Sequence, residues 1–232
     1  MTLFAILALG FFLGMRHATD SDHVLAVTTI VTRAKTPRAA LGVGALWGLG
    51  HSATILTVGG SIVLFGWVIP PRLGLSMEMS VAVMLIVLGA MNLSGALSRI
   101  GQVAHRHAHE QEPTDPPSAR RMTGLLRPLV VGVVHCLAGS AAIALLVLTT
   151  LKTAASALVY LAVFGAGTMA GMMLLTWAMA LPISAFSRRF QNAEQQVARV
   201  TGLVSIAFGL FLAYRIGVTD GLLSGVPNWS PH

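Results

Sequence analysis

The chain of 232 residues reads as an all-α integral membrane protein: six transmembrane helices as two inverted three-helix repeats, with some helices broken. Three observations predict this. Hydrophobic residues make up 55% of the chain and charged residues only 10%, with a mean hydropathy of +0.77, whereas a soluble domain carries about 25% charged residues. The apolar residues gather into six runs, most of them near or above the ~20 residues that cross the hydrocarbon core as a helix. Short stretches of the first half recur in the second at a nearly constant displacement.

The runs lie at about Thr2–Ile30, Ala39–Val68, Met79–Leu97, Leu129–Thr150, Ala155–Ile183 and Val197–Tyr214. In lipid only helices and closed barrels satisfy their own backbone, and no alternating segments of the barrel type occur here. The first run, "MTLFAILALGFFLG", has neither a basic leading region nor a small-residue cleavage site, and is expected to be a retained span rather than a signal peptide. The first two runs approach 30 residues. As straight helices they would measure about 45 Å against a core of about 30 Å, so tilt or a broken segment must absorb the excess. The third run completes a first repeat over residues 1–100, and the last three runs form a second over 128–232.

Residues 101–127 between them hold "HRHAHE" and then "QEPTDPPSAR", with three prolines and no apolar period. This composition predicts a disordered loop. His105, His107 and His109 alternate, a spacing that suits either capture of a divalent metal or a plain solvated linker.

The net charge of +7 invites a nucleic-acid reading, but the basic residues sit in short connections between apolar runs. Loops one, three and five hold eleven Lys and Arg, against three (Arg72, Lys152 and Arg215) on the other side. That asymmetry places loops one, three and five in the cytoplasm and both termini outside. Membrane lipid, not nucleic acid, is the expected surroundings. The single cysteine, Cys136, excludes an intramolecular disulfide.

The repeat rests on three matches in order: "GMRHA" with "GVVHC", "WGLGHSA" with "FGAGTMA", and "ALSRIG" with "LAYRIG", at displacements of 118, 117 and 116 residues. Repeats of three spans each must lie inverted, an arrangement found in transporters whose substrate site sits near the midplane.

The polar residues of the runs are concentrated. Apart from Glu78, their only acids are Asp20 and Asp22, and their only histidines are His17, His23, His51 and His135. Ionisable groups inside a membrane are costly and mark function by default. On an ideal helix His17, Asp20 and His23 fall within about 120° of one another, while Asp22 lies about 140° from His17. A regular helix therefore cannot aim His17, Asp22 and His23 at one point. Either Asp22 acts through another ligand or the backbone unwinds, which membrane depth tolerates only against protein or a cavity.

Imidazoles with a carboxylate suit a borderline divalent ion such as Ni²⁺, Co²⁺ or Zn²⁺. Hard ions would need more oxygen ligands, and none of the eleven methionines forms a ladder focused on this stretch, as Cu(I) would require. Small residues Gly48, Gly50, Ser52 and Ala53 would let His51 join the cluster by close helix approach. Asp20, Ser52 and His135 are expected as outer or pathway residues. A zinc-dependent hydrolase within the membrane would use the same cluster, with Asp22 as base on a bound water, but H-E-x-x-H is absent. A structural or sensory subunit is a further class. Without a Walker A motif, ATP hydrolysis by this chain is not expected.

These motifs resemble a known family. "RHATDSDH" carries His17, four residues, then Asp22-His23, the H-x4-D-H signature of nickel/cobalt transporters of the NicO superfamily. "GLGHSAT" resembles that family's G-H-S motif, and "VHCLAGSAA" resembles the H-G-L-A-G-S segment of its urease-accessory, nickel-permease-like branch. The resemblance implies transport of Ni²⁺ or Co²⁺ across the bacterial cytoplasmic membrane, with no catalytic residue and no resident cofactor. His17, Asp22, His23 and His51 would bind the ion, and a metallochaperone or metalloenzyme-maturation protein would be a partner. Larger members carry the signature in their second span; here it lies in the first, and Cys136 stands where glycine is usual.

Overall fold

The computed structural model describes residues 2–31, 36–66, 69–94, 117–136, 151, 153–189, 193–223 and 227–229. Seven α-helices and one π turn account for nearly all of them, and no strand occurs among the described residues. The helices are α1 (Leu3–His17), α2 (Ser21–Val31), α3 (Pro37–Phe65), α4 (Pro71–Leu93), α5 (Pro117–Cys136), α6 (Ala154–Arg189) and α7 (Ala193–Tyr214), and the π turn Arg215–Thr219 extends α7. Among the described residues four segments are long and apolar enough to cross a membrane: Pro37–Phe65, Pro71–Leu93, Ala154–Ile183 and Gln195–Thr219. The pair α1 and α2 passes the same test jointly, bent by 57° at its break.

Local chemistry sets the helix ends. Thr2 and Thr36 cap α1 and α3, their hydroxyls accepting from the amides of Ala5 (3.4 Å) and Ala39 (3.2 Å), which satisfies donors that a helix start leaves open. Pro37 and Pro71 occupy first-turn positions where a missing N–H costs nothing. Gly66 closes α3 in the left-handed region, at φ 63°, a conformation glycine adopts without a Cβ penalty.

Of the two long runs, only the first is broken. The second is a continuous helix of 29 residues. Residues 117–127, expected as loop, are the opening turns of α5 instead, because Pro117 starts a helix and "SARRM" favours continuing one. The rest of that loop, with His105, His107 and His109, lies outside the described residues, as does the second half of the fourth run, residues 137–150.

Apolar side chains fill the interior and also cover the exterior. Trp47, Val27, Val31, Val81, Leu85 and Met172 form a buried cluster, while Phe4, Phe12, Phe65, Leu203 and Phe211 stand on the exterior. Such an apolar outer face suits lipid. α1 packs on α6, α3 on both α5 and α6, and α4 on α7. The closest crossings are made where side chains are missing. A Cβ on Gly14 would press on the carbonyl oxygen of Phe164, one on Gly132 on that of Trp47, one on Gly50 on that of Leu129, and one on Gly167 on that of Phe11. Glu78 is tied off far from these crossings, accepting from Trp229 Nε1 at 2.9 Å.

The crossings predict a contrast between two glycines. Gly132→Ala should destabilise the protein by about 1–3 kcal/mol, the usual cost of overpacking, and lower its melting temperature in detergent. Gly42, exposed with nothing within 4 Å of its Cβ position, should accept alanine neutrally or with a small gain of up to ~1 kcal/mol. Equal melting shifts for the two variants would contradict this packing.

Candidate metal site

The break between α1 and α2 builds the site. Around Ala18–Asp20 the backbone tightens, with Thr19 N–H donating to Arg16 O (2.8 Å) and Asp20 N–H to His17 O (3.1 Å). The Thr19 hydroxyl also donates to Arg16 O at 2.6 Å. Thr, Asp and Ser side chains compete for backbone groups in this way, so "ATDSD" interrupts a helix without proline or glycine. The chain restarts at once: Val24 N–H donates to Asp20 O at 3.0 Å. Asp22 falls in the first turn of α2, where a carboxylate is favoured by the helix dipole. The expected conflict over helical angle is thereby resolved, since His17 ends one helix while Asp22 and His23 begin another.

Four histidines converge. His17 comes from the end of α1, His23 from α2, His51 from α3 and His135 from the last turn of α5. His51 is the midpoint of α3, equally far from Pro37 and Phe65. Glycines on both sides of the crossing, Gly50 against Leu129 and Gly132 against Trp47, bring α3 and α5 close enough for His51 and His135 to meet α2. The ring of His23 lies 4.7 Å from that of His17, 5.2 Å from His51 and 4.2 Å from His135, centre to centre. Trp47 stacks on His23 and meets His135 edge-on, and Phe164 lies against His17. The imidazoles are thus walled by aromatic rings and nearly sealed, His17 being 6% exposed, His51 1%, and His23 and His135 0%.

Each carboxylate fixes a ring. Asp20 Oδ2 accepts from His17 Nδ1 at 2.8 Å. Asp22 Oδ1 accepts from the His23 backbone amide at 3.0 Å and from His23 Nδ1 at 3.2 Å, and its Oδ2 lies 3.2 Å from His135 Nε2. A carboxylate on one ring nitrogen leaves the other with a bare lone pair. His17 Nε2 and His51 Nε2 are 3.1 Å apart. Two nitrogens each ~2.0–2.1 Å from one ion are separated by about 2.9 Å at a right angle and about 3.4 Å at the tetrahedral angle, so this spacing fits a shared ion. Among the described residues His23 Nε2, His51 Nδ1 and His135 Nδ1 have no hydrogen-bond partner. Buried polar atoms left so are expensive, and ring nitrogens gathered within 4.8 Å of one another, as those of His17, His23 and His51 are, suit a metal ion.

Two three-residue groups have ligand atoms all within 4.8 Å of one another: His17, His23 and His51, and Asp22, His23 and His135. The structure therefore brings together His17, Asp20, Asp22, His23, His51 and His135. It does not bring in Ser52, whose hydroxyl donates to Gly165 O at 2.8 Å and ties α3 to α6. Cys136 packs with Ile55, Tyr160, Leu161 and Phe164 and belongs to neither group. Sequence reasoning ranked His135 among outer residues and overlooked Trp47 and Phe164. The signal for His135 was its displacement of 118 from His17 within matching "GMRHA" and "GVVHC".

The family model described as high-affinity nickel-transport protein matches residues 3–123. Urease accessory protein UreH of Bacillus sp. (strain TB-90) is 37% identical over 223 residues, covering 95% of this chain and 95% of its own. No solved structure matches. The family is one of transporters rather than enzymes, which removes the hydrolase reading of the cluster. With a family model matched over half its length and a relative aligned along nearly all of it, the chain belongs to the high-affinity nickel-transport protein family.

Proposed function

We propose that this protein carries Ni²⁺, with Co²⁺ as its closest competitor, across the bacterial cytoplasmic membrane through the histidine cluster. The observation that carries the reading is the sealed group of His17, His23 and His51, its nitrogens converging beside two carboxylates halfway along a membrane-length helix. Imidazole donors suit both ions. His17, His23 and His51 hold the ion, while Asp20 and Asp22 orient His17 and His23 through their Nδ1 atoms and offset part of the ion's charge. A urease-maturation setting, with a metalloenzyme or its chaperone receiving the ion, follows the name of the aligned relative.

The architecture on this reading is six spans in two inverted repeats. What supports it is the way contacts exchange between halves. Gly14 meets Phe164 as Gly132 meets Trp47, and Gly50 meets Leu129 as Gly167 meets Phe11. In each pair the residues correspond at the displacement of 117 or 118 found in the sequence. Both termini lie outside and the His105, His107, His109 segment inside, where it tunes ion capture or delivery.

Uptake of radiolabelled nickel and cobalt into cells with and without the protein tests the function directly. Asp22→Asn keeps size and most hydrogen bonding but removes charge, so it should weaken ion affinity about 10–100-fold, as loss of a ligand-orienting carboxylate does, and nearly abolish uptake in inserted protein. Cys136→Ala should be close to neutral. Normal uptake by Asp22→Asn would sink the site assignment.

Single cysteines at Gln102 and Asn228, in a background lacking Cys136, should label from opposite sides of the membrane. Labelling from one side would end this topology. Replacing His105, His107 and His109 together should leave saturable uptake with altered apparent affinity. Complete loss of uptake in a normally expressed triple variant would count against a tuning role.

A further inference from the structure

We propose that the cluster offers the ion two overlapping positions rather than one, with His23 as the ligand common to both. This rests on the transport reading above and extends it. The first position is the all-imidazole group of His17, His23 and His51; the second is Asp22, His23 and His135, its ligand atoms likewise all within 4.8 Å of one another.

Several features set the second group apart from a structural hydrogen-bond network. His135 is fully buried, and its Nδ1 has no partner among the described residues. Its Nε2 lies 3.2 Å from Asp22 Oδ2 yet lacks the alignment of a hydrogen bond. A fully buried imidazole facing a carboxylate through one nitrogen, with the other nitrogen unpaired among the described residues, is placed as a ligand would be. His135 also stands to α5 as His17 stands to α1, in the last turn and 118 residues later. Each half of the chain thus sends one helix-terminal imidazole towards His23, His17 at 4.7 Å and His135 at 4.2 Å between ring centres, and the His51 and His135 rings, 6.4 Å apart, both lie closer to His23 than to each other.

The two positions differ in chemistry. The first has three neutral donors. The second replaces one imidazole with a carboxylate whose side chain is 18% exposed, against 0–6% for the histidines. An ion moving between them keeps His23 throughout, so it is never without a ligand, and it trades two imidazoles for one imidazole and a harder, partly exposed oxygen. The two sets share the His23 ring and their other rings stand only 4.2–5.2 Å from it, so two divalent ions there would repel strongly and one ion occupies the cluster at a time. A divalent borderline ion fits both sets, and such stepwise exchange is what lets a tight site also release its ion.

Co²⁺ binding to purified full-length protein in detergent, read by its visible absorption and by equilibrium dialysis, tests this. Wild type should bind one equivalent. His51→Ala and His135→Ala should each still bind one equivalent, with affinity reduced about 10–100-fold and with spectra that differ from each other, since each retains a different donor set. His23→Ala and the double variant His51→Ala/His135→Ala should lose saturable binding. Melting curves establish that each variant is folded, and His135→Gln, which keeps an N–H beside Asp22, serves if His135→Ala is not. Abolished binding in either folded single variant, or identical spectra in the two, would overturn the two-position inference. Nickel flux into vesicles separates this from the function itself. Wild-type flux with binding lost in one single variant defeats only the second position, whereas two-position binding without flux defeats the transport reading alone.

Discussion

The interruption between His17 and Ser21 is the constraint on which the site depends. In hydrocarbon an unpaired amide or carbonyl has no water to turn to, so a helix can break there only if the break supplies its own partners. The "ATDSD" stretch does so with short-range bonds onto Arg16 O and His17 O and an immediate restart at Asp20. Thr19, Asp20 and Ser21 are exposed in the fold, a placement that membrane depth accepts where the surface lines a polar cavity. A straight helix would have spared these bonds but left Asp22 facing away from His17.

Convergence also requires helices to approach more closely than side chains normally permit. Lipid provides no hydrophobic drive for helices to associate, so small residues and backbone contact take over. Gly50 and Gly132 remove the side chains between α3 and α5, and Gly14 and Gly167 do the same between α1 and α6. Both crossings flank the histidines. The glycines thus act on function through geometry: a wider α3–α5 crossing would carry His135 away from Asp22 while leaving every polar residue in place.

Much of this was legible in the chain. The H-x4-D-H spacing named His17, Asp22 and His23, and the angle argument required either a break or an indirect role for Asp22. The structure has both features, a bend of 57° and an Asp22 bonded to His23. His51 was legible from the small residues around it. His135 was not, because a lone histidine beside a cysteine in an apolar run looks the same whether it faces a neighbouring helix or a site. Its role depends on the tertiary crossing at Gly132, and only the repeat displacement hinted at that. Ser52 adjoins His51 in sequence, but one residue along a helix turns the side chain by about 100°, here onto Gly165. The start of α5 was hidden by prolines, which read as loop until one of them is recognised as a helix's first residue.

On the transport reading, the placement of charge accounts for a site that binds a divalent ion and still lets it go. Four imidazoles sit deepest, and the two carboxylates stand further out, Asp20 being 46% exposed and Asp22 18%. Carboxylates buried directly around the ion would hold it through full charges in low dielectric, where attraction is strongest, and release would be slow. At the all-imidazole position, rings backed by carboxylates receive part of that charge through the Nδ1 hydrogen bond, gaining basicity without a negative charge on the ion itself. The empty cluster is also easier to keep in the membrane, because its deepest groups carry no charge when unprotonated. On the transport reading, affinity is set by the outer carboxylates and selectivity by the inner rings, so changes at Asp20 or Asp22 would alter how tightly the ion is held more than which ion is chosen.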